Sequence, residues 1–157
     1  MAEPTTNYIE IDGEGKWIED TTAREGVAQN AAAITTINAA IAKIGTYLES
    51  KTDGSIQIGQ SDTTVQEITL SKGVWLVRGQ ITNTVLSDGK LTSVSISPTS
   101  NYWNPSIYAA TSNPFVGQAQ EVTGIVNVTA DTQKYYLCVY APGGSVERRY
   151  LYAVRIA

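Results

Sequence analysis

The sequence contains no histidine, a single cysteine and no concentrated group of basic residues. Without histidine there is no Ser-His-Asp or Cys-His machinery, no imidazole metal ligand and no histidine pH switch. One cysteine, Cys138, excludes an intrachain disulfide and a cysteine metal cluster. We therefore expect a protein that is not an enzyme and that has no catalytic residues, no metal and no cofactor.

Two further absences concern partners. The net charge is -4 and the eleven Lys and Arg residues are scattered, so no basic stripe is available to bind a phosphate backbone. No run approaches about eighteen consecutive apolar residues, and the first residues lack a basic region followed by an apolar one. We expect no nucleic-acid partner, no membrane insertion and no signal peptide.

Residues 1–22 are acidic and form the first of three zones. Seven of the fifteen carboxylates lie within the first 25 residues, which marks this end as a distinct segment. An Asp-Gly pair at residues 12–13 between apolar alternations predicts a β-hairpin, and a lone hairpin needs a surface to pack on. A loose tail is the alternative. The apolar residues that would anchor the hairpin to a partner are Tyr8, Ile9, Ile11, Trp17 and Ile18.

The second zone, residues 23–50, predicts a helix from about residue 23 to residue 49. Thr22 and Glu25 have the spacing of a capping box. Isoleucine at both seam positions of a heptad favours trimers or tetramers over dimers, and one asparagine in the seam fixes register. A trimeric coiled-coil stalk is the prediction, and a helix folded back on its own head is the alternative. The seam residues are Val27, Asn30, Ile34, Ile37, Ile41, Ile44 and Leu48.

The third zone, residues 55–157, is rich in short β-branched and aromatic runs separated by turn residues. This spacing predicts an antiparallel β-sandwich. The fold class is therefore mainly β, with a helical trimeric coiled coil before the sandwich. Turns are predicted at residues 71–73, 87–90, 130–131 and 142–144. Strands are predicted at residues 56–58, 65–70, 74–82, 91–97, 107–109, 121–128, 135–141 and 149–156.

Three of these strands are apolar on both faces: residues 74–77, 135–140 and 150–156. Because an antiparallel sandwich strand normally has one polar face, we expect neighbouring subunits to cover the second face. The last strand is expected near a three-fold axis. Cys138 lies in the second of these runs and is predicted to be a buried thiol that packs as a small hydrophobe.

One loop has the composition of a recognition surface. Tyr, Ser and Asn are typical of binding loops because tyrosine gives contact area at a small entropic cost. A sugar ring would stack on the aromatic side chains. The alternative is that Trp103 and Tyr108 close one end of the sandwich or a subunit seam. The receptor-binding candidates are Asn101, Tyr102, Trp103, Asn104 and Tyr108.

Residues 70–77 (LSKGVWLV), the tyrosine-rich run at 135–140 and residues 151–156 (LYAVRI) resemble the C-terminal heads of bacteriophage fibre proteins. Those heads resemble the tumour necrosis factor-like trimeric jelly roll. The resemblance implies a homotrimeric jelly-roll head and a structural role in a virion, with adhesion to a bacterial surface, commonly to glycans. No large attachment domain precedes the stalk, which favours a head fibre or capsid decoration, or a short tail or baseplate fibre.

The implied domains are an acidic virion-anchoring segment at 1–22, a trimeric coiled-coil stalk at 23–50 and a β-sandwich head at 55–157. The N-terminus would bind a capsid or baseplate protein. The protein would be made in the host cytoplasm and end in the virion, on the capsid surface or tail. Two alternatives stay open: a cellular trimeric jelly-roll ligand for a protein receptor, and a glycan hydrolase on a fibre scaffold that uses a pair of carboxylates.

Overall fold

The computed structural model describes residues 7–11, 14–18, 21–86, 91–112, 117–140 and 143–157. Side chains are described outside residues 1–21, 83–91, 111–116 and 141–142. The chain divides into two compact units, Met1–Ala42 and Lys43–Ala157, and each is described by itself. Within the described residues no helix is long and apolar enough to cross a membrane.

The first unit begins with a two-stranded antiparallel hairpin, which confirms the predicted hairpin. Strand β1 (Asn7–Ile11) pairs with β2 (Glu14–Ile18) in a continuous register of five residue pairs. The Asp-Gly turn predicted between them lies outside the described residues. The side chains of the anchoring residues also lie outside them, so the anchoring role of Tyr8, Ile9, Ile11, Trp17 and Ile18 stays a prediction.

Helix α1 spans Thr21–Ile41 and has 21 residues. It begins one residue before the predicted cap at Thr22 and ends eight residues before the predicted end at Glu49. At ~1.5 Å per residue the helix is roughly 32 Å long, close to three heptads. The prediction of a helix through residue 49 is therefore wrong, and Ile44 and Leu48 are not on it.

The helix stops because the following residues pair with the head. Gly45 has φ +82°, a conformation that suits glycine after a helix end, and its N–H donates to the carbonyl of Arg155 at 2.8 Å. Strand β3 (Tyr47–Thr52) then pairs antiparallel with the last strand, β9 (Gly144–Arg155). Leu48 packs partly buried against the head core, and Ile44 lies in the turn. Residues 43–50 therefore belong to the head and not to the stalk.

The second unit, the head, contains seven strands that form one antiparallel sheet. Besides β3 and β9, its strands are β4 (Ile56–Ile58), β5 (Thr63–Leu86), β6 (Leu91–Ser97), β7 (Tyr108–Ser112) and β8 (Ala119–Tyr140). The strand order is β3-β9-β5-β8-β6-β7, with β4 also pairing with β9. The mainly β, antiparallel character confirms the predicted class, and β4 and β6 have the predicted bounds.

Two predicted turns are wrong because they face each other inside one long ladder. Strands β5 and β8 pair on both sides of an irregularity, where Ser71 pairs with Thr132 and Gly73 pairs with Val128. Three residues of β8 therefore oppose one residue of β5, which is a bulge. The predicted turns at residues 71–73 and 130–131 are the two sides of this bulge, and the four shorter predicted strands are two long ones.

The bulge divides the ladder into two layers that pack face to face. Layer A contains β3, β4, β9, residues 73–82 of β5 and residues 119–128 of β8. Layer B contains residues 63–71 of β5, residues 132–139 of β8, β6 and β7. Gly79 of layer A lies so close to the Leu137 side chain of layer B that a Cβ would overlap it. The head is thus a sandwich with one core, whose largest fully buried side chains are Trp75, Leu70, Ile81, Ile96, Leu137 and Leu151.

Candidate functional site

Helix α1 exposes a row of four apolar side chains and one asparagine, which we call the seam: Val27, Asn30, Ile34, Ile37 and Ile41. The exposed fractions of Ile34, Ile37 and Ile41 are 58%, 56% and 57%, and that of Val27 is 70%. Their three- and four-residue spacing places them along one side of the helix. Five of the seven predicted seam residues are therefore on the helix, and the coiled coil itself stays a prediction.

The head also exposes an apolar row, on the outer face of layer A. The register aligns one residue from each of four strands in a row, namely Tyr47, Val154, Leu76 and Ile125. Exposed fractions are 54% for Tyr47, 39% for Leu76 and 62% for Ile125. We call the outward side chains of this layer the tyrosine face: Tyr47, Leu76, Arg78, Ile125, Tyr150, Tyr152 and Val154. This face is the uncovered second side of two runs that the sequence shows as apolar on both faces.

Charges flank the apolar row in opposite pairs. Arg78 Nη2 lies 2.5 Å from Glu121 Oε2, and Lys51 Nζ lies 3.7 Å from Glu49 Oε1. Tyr152 stacks on Tyr150 with ring centroids 6.0 Å apart, beside a shallow groove of about 360 Å³. Two cations and two carboxylates leave the flank neutral, so a second copy of the same face meets no net repulsion.

The phenol of Tyr152 provides a pH-dependent test of the tyrosine face. Burial, and then the nearby Glu49 and Tyr150, raise its pKa above the ordinary 10.0. The unfolded chain releases this proton first, so stability is full below about pH 10 and falls as pH rises through the folded pKa. Tyr152→Phe is expected to reduce the loss of melting temperature between about pH 8 and pH 11. If the native protein and Tyr152→Phe lose the same melting temperature over this pH range, the raised pKa of Tyr152 does not contribute to the pH dependence of stability.

The candidate recognition loop, residues 98–107, connects β6 to β7 and is braced by the head; we call it the Trp103 loop. Thr64 N–H donates to Asn101 Oδ1 at 2.7 Å, and Asn101 N–H donates to Thr64 Oγ1 at 2.8 Å. Trp103 N–H donates to Asp62 Oδ2 at 3.2 Å. Asn101 also has φ +53°, a left-handed conformation that asparagine tolerates well. The loop is therefore a fixed surface.

This loop covers the outer face of layer B within the same chain. Thr99 N–H donates to Ser97 Oγ at 3.1 Å, and Asn104 N–H donates to Ser95 Oγ at 3.4 Å. Beneath it, Ser95, Ser97 and Cys138 are buried. The prediction that Cys138 is a buried thiol is confirmed. The expectation that a neighbouring subunit covers this part of the run at residues 135–140 is wrong, because the chain's own loop covers it.

The five candidate receptor-binding residues divide by what they present. Asn104 Nδ2 donates to the carbonyl of Ile96 at 2.7 Å, and its Oδ1 accepts from Ser106 N–H at 3.0 Å, so this amide is engaged inside the loop. Tyr102 and Tyr108 present exposed rings. Trp103 is half-buried and contacts Tyr108 edge to face, with centroids 4.9 Å apart. Asn101 and Asn104 thus position the loop, and the surface it offers is aromatic; ligand binding there stays a prediction.

Asn101→Ala is expected to loosen the Trp103 loop. The substitution removes the acceptor for Thr64 N–H and places alanine at a positive φ, for a cost of about 1–3 kcal/mol. We expect faster hydrogen exchange at the Thr64 amide and a lower unfolding midpoint. Asn101→Asp, which keeps the acceptor, is the matched control and is expected to exchange at close to the native rate. Native exchange in the alanine variant would show that this hydrogen bond does not hold the loop.

No family model and no curated protein matches the chain. Several solved structures are similar to this chain, and two of them serve as examples. One comes from Bacillus endospore appendages, described as disulfide-linked pili: TM-score 0.43, identity 10%, covering 72% of this chain and 91% of that one. The other is the Eiger TNF of S. frugiperda: TM-score 0.40, identity 12%, covering 71% of this chain and 93% of that one. At these identities, the function must be inferred from the chain's own residues.

Proposed function

We propose that this protein is a homotrimeric, non-enzymatic fibre protein of a bacteriophage particle. The N-terminal hairpin binds a capsid or baseplate protein, the helix associates in a three-stranded coiled coil, and the jelly-roll head faces outward. In this proposal the head attaches the particle to the bacterial surface, with glycans as the ligand class. Three copies of a weak site on one fibre, and several fibres on a particle, raise the effective concentration without tighter individual contacts.

The observation that carries the proposal is the exposed seam. Val27, Ile34, Ile37 and Ile41 expose more than half of their surface, and each buried isoleucine stabilises an association by about 1.5–3 kcal/mol. The rest of the helix is mainly Ala, Thr and Asn, which gives no second apolar side for packing on a different surface. A row of this composition is complementary to copies of itself, and isoleucine at both seam positions favours three copies.

The tyrosine face supports the same state independently. Its central row is apolar, its flanking charges are balanced, and it includes the last strand, which is expected near a three-fold axis because it is apolar on both faces. In the trimer we assign this face to contacts between heads. The Trp103 loop lies on layer B, the opposite side of the sandwich from the tyrosine face, so its aromatic rings stay available to a receptor in this arrangement.

The deciding measurement is the mass of the purified 157-residue chain by light scattering. The proposal expects about three times the 16.9 kDa chain over a range of protein concentrations. A mass of one chain would remove both the stalk and the contacts between heads, and the fibre role with them. A mass of two chains would also contradict the proposal, since the fibre has three-fold symmetry.

A further inference from the structure

A groove of about 500 Å³ lies at the end of the head where the two layers are joined by the bulge. It is separate from the tyrosine face and from the Trp103 loop, and we call it the Arg155 groove. Its lining brings together residues from four separate parts of the sequence. These are Lys43, Thr46, Ser71, Lys72, Trp75, Asp131 and Arg155.

The guanidinium of Arg155 is held in place by its surroundings. Its Nε donates to the backbone oxygen of Ala157 at 3.2 Å, and its Cζ lies 5.9 Å from the centre of the Trp75 ring. Trp75 is itself fixed, because its Nε1 donates to the carbonyl of Ser71 at 2.8 Å. A Cβ at Gly73 would lie 2.8 Å from Arg155 Cζ, so the glycine gives the guanidinium its room. The group is therefore pre-organised.

The same guanidinium has N–H donors, on Nη1 and Nη2, that remain available to a ligand. Among the described residues, none accepts a hydrogen bond from Nη1 or Nη2 of Arg155. A planar group with a free pair of parallel N–H donors matches the two oxygens of a carboxylate or phosphate. Arg149 differs, because one of its two terminal nitrogens, Nη1, already donates to the carbonyl of Gly54 at 2.5 Å. Arg155 has the arrangement expected of a ligand-binding arginine.

The charge in the groove is also unbalanced. Lys43, Lys72 and Arg155 bring three positive side chains, and Asp131 is the one carboxylate in the lining. Within the described part of the chain, no ion pair joins any of these four side chains, whereas the head's ion pairs lie at Lys51, Arg78 and Lys134. In a chain whose net charge is -4, this concentration of cations without a side-chain ion pair is a local exception that attracts anions.

We propose that the Arg155 groove binds an oxyanion carried on a sugar-sized molecule, namely a phosphorylated or carboxylated saccharide. Arg155 takes two oxygens of the anion, Lys43 and Lys72 add charge, and the hydroxyls of Thr46 and Ser71 reach the sugar. The volume falls in the range of small-molecule pockets, about 300–1,000 Å³, and exceeds the space that a bare ion needs. This site goes beyond adhesion by aromatic loops, and it is formed by residues of one head whatever the oligomeric state.

Isothermal titration of the whole 157-residue chain tests the proposal, at about 20 mM salt where surface charges are only weakly screened. The probes are glucose 6-phosphate, glucuronate, glucose and inorganic phosphate. We expect both charged sugars to bind, neutral glucose not to bind, and inorganic phosphate to bind more weakly than glucose 6-phosphate. The phosphate and carboxylate probes separate the two anion chemistries. Absence of binding by both charged sugars overturns the site, and equal binding of inorganic phosphate overturns its sugar component.

Four single variants locate the site. Lys72→Gln and Arg155→Lys are each expected to lower the affinity for the charged sugars by about three- to tenfold. Lys72→Gln removes a positive charge, and Arg155→Lys removes the pair of parallel N–H donors. Asp131→Asn is expected to raise the affinity for the charged sugars by a similar factor, and a loss of folding would not produce such an increase. Lys51→Gln removes one positive charge outside the groove and serves as the control. Equal affinity in all four variants would overturn the assignment, with circular dichroism confirming that each is folded.

Discussion

Asparagine at both Ile37 and Ile41 is expected to lower the mass in solution from about three chains to one. The two isoleucines lie in the middle of the seam, and a trimer would bury six of them. At about 1.5–3 kcal/mol for each buried isoleucine, their removal exceeds what a three-heptad coiled coil is expected to tolerate. Asparagine would also place six amides in the seam, each costing free energy unless it finds a partner. Light scattering at matched concentrations measures the change.

Asparagine at Ala32 and Ala39 is the matched control for this experiment. These residues lie on the opposite side of α1 from Ile37 and Ile41 at 100° per residue, and they receive the same new side chain in the same helix. The control loses at least as much helix propensity as the seam variant, because alanine is a better helix former than isoleucine. The control is expected to keep a mass of three chains. If both double variants become monomeric, helix stability and not the seam determines the assembly.

A seam variant that keeps three chains would place the decisive contact on the head. The tyrosine face offers a second apolar row, and Leu76 and Ile125 are its exposed aliphatic members. The two surfaces lie on different units, so each can be removed without altering residues of the other. A double-mutant cycle across the two surfaces then measures how the association free energy divides between the helix and the head.

The end of the helix shows where sequence periodicity stops being informative. Ile44 and Leu48 continue the heptad spacing, so the pattern predicts that they belong to the stalk. The actual end is decided by Gly45 and by pairing of Tyr47–Thr52 with β9, about one hundred residues further along the chain. The local sequence does not indicate this long-range strand pairing, because Leu48 suits a half-buried strand as well as a coiled coil.

For a similar reason, the sequence pattern predicts four short strands where the structure has two long ones, β5 and β8. Local turn propensity at residues 71–73 and 130–131 is real, but the two segments oppose each other and together make a bulge in one ladder. By contrast, β6 and β4 have clear turn signals or bends on both sides and have the bounds that their residues predict. Local chemistry therefore locates an irregularity, and only the pairing partner decides whether it ends the strand.

The candidate sites divide in the same way. The Trp103 loop could be found from composition, because its aromatic and amide residues are consecutive in the sequence. The internal use of the Asn104 amide could not be predicted, since its partner at Ile96 depends on how the loop folds back. The Arg155 groove has no sequence motif, because Lys43, Lys72 and Arg155 meet only after β5 and β9 pair.

Trp75→Ala is expected to cause the largest loss of stability of any single substitution in the head. Trp75 is the largest fully buried side chain, at 1% exposure, and its Nε1 satisfies the carbonyl of Ser71. Truncation of a buried tryptophan costs about 3–5 kcal/mol, through lost apolar contact and the cavity left behind. The midpoint of denaturant unfolding, followed by circular dichroism at one fixed protein concentration, measures the loss because assembly makes stability concentration-dependent.

Two controls separate the core contribution from the loss of an indole. Trp103→Ala removes a half-buried tryptophan from a loop. It is expected to lower stability by less than half as much as Trp75→Ala, since Trp103 is not one of the buried core residues. Trp75→Phe keeps a buried ring but loses the hydrogen bond to Ser71 and is expected to fall between the other two variants. If Trp75→Ala and Trp103→Ala shift the midpoint equally, Trp75 is not the centre of the core. The same indole contacts the guanidinium of Arg155. In a folded head, Trp75→Phe is therefore also expected to lower the affinity of the Arg155 groove for charged sugars. This result would link a core residue to the proposed binding site.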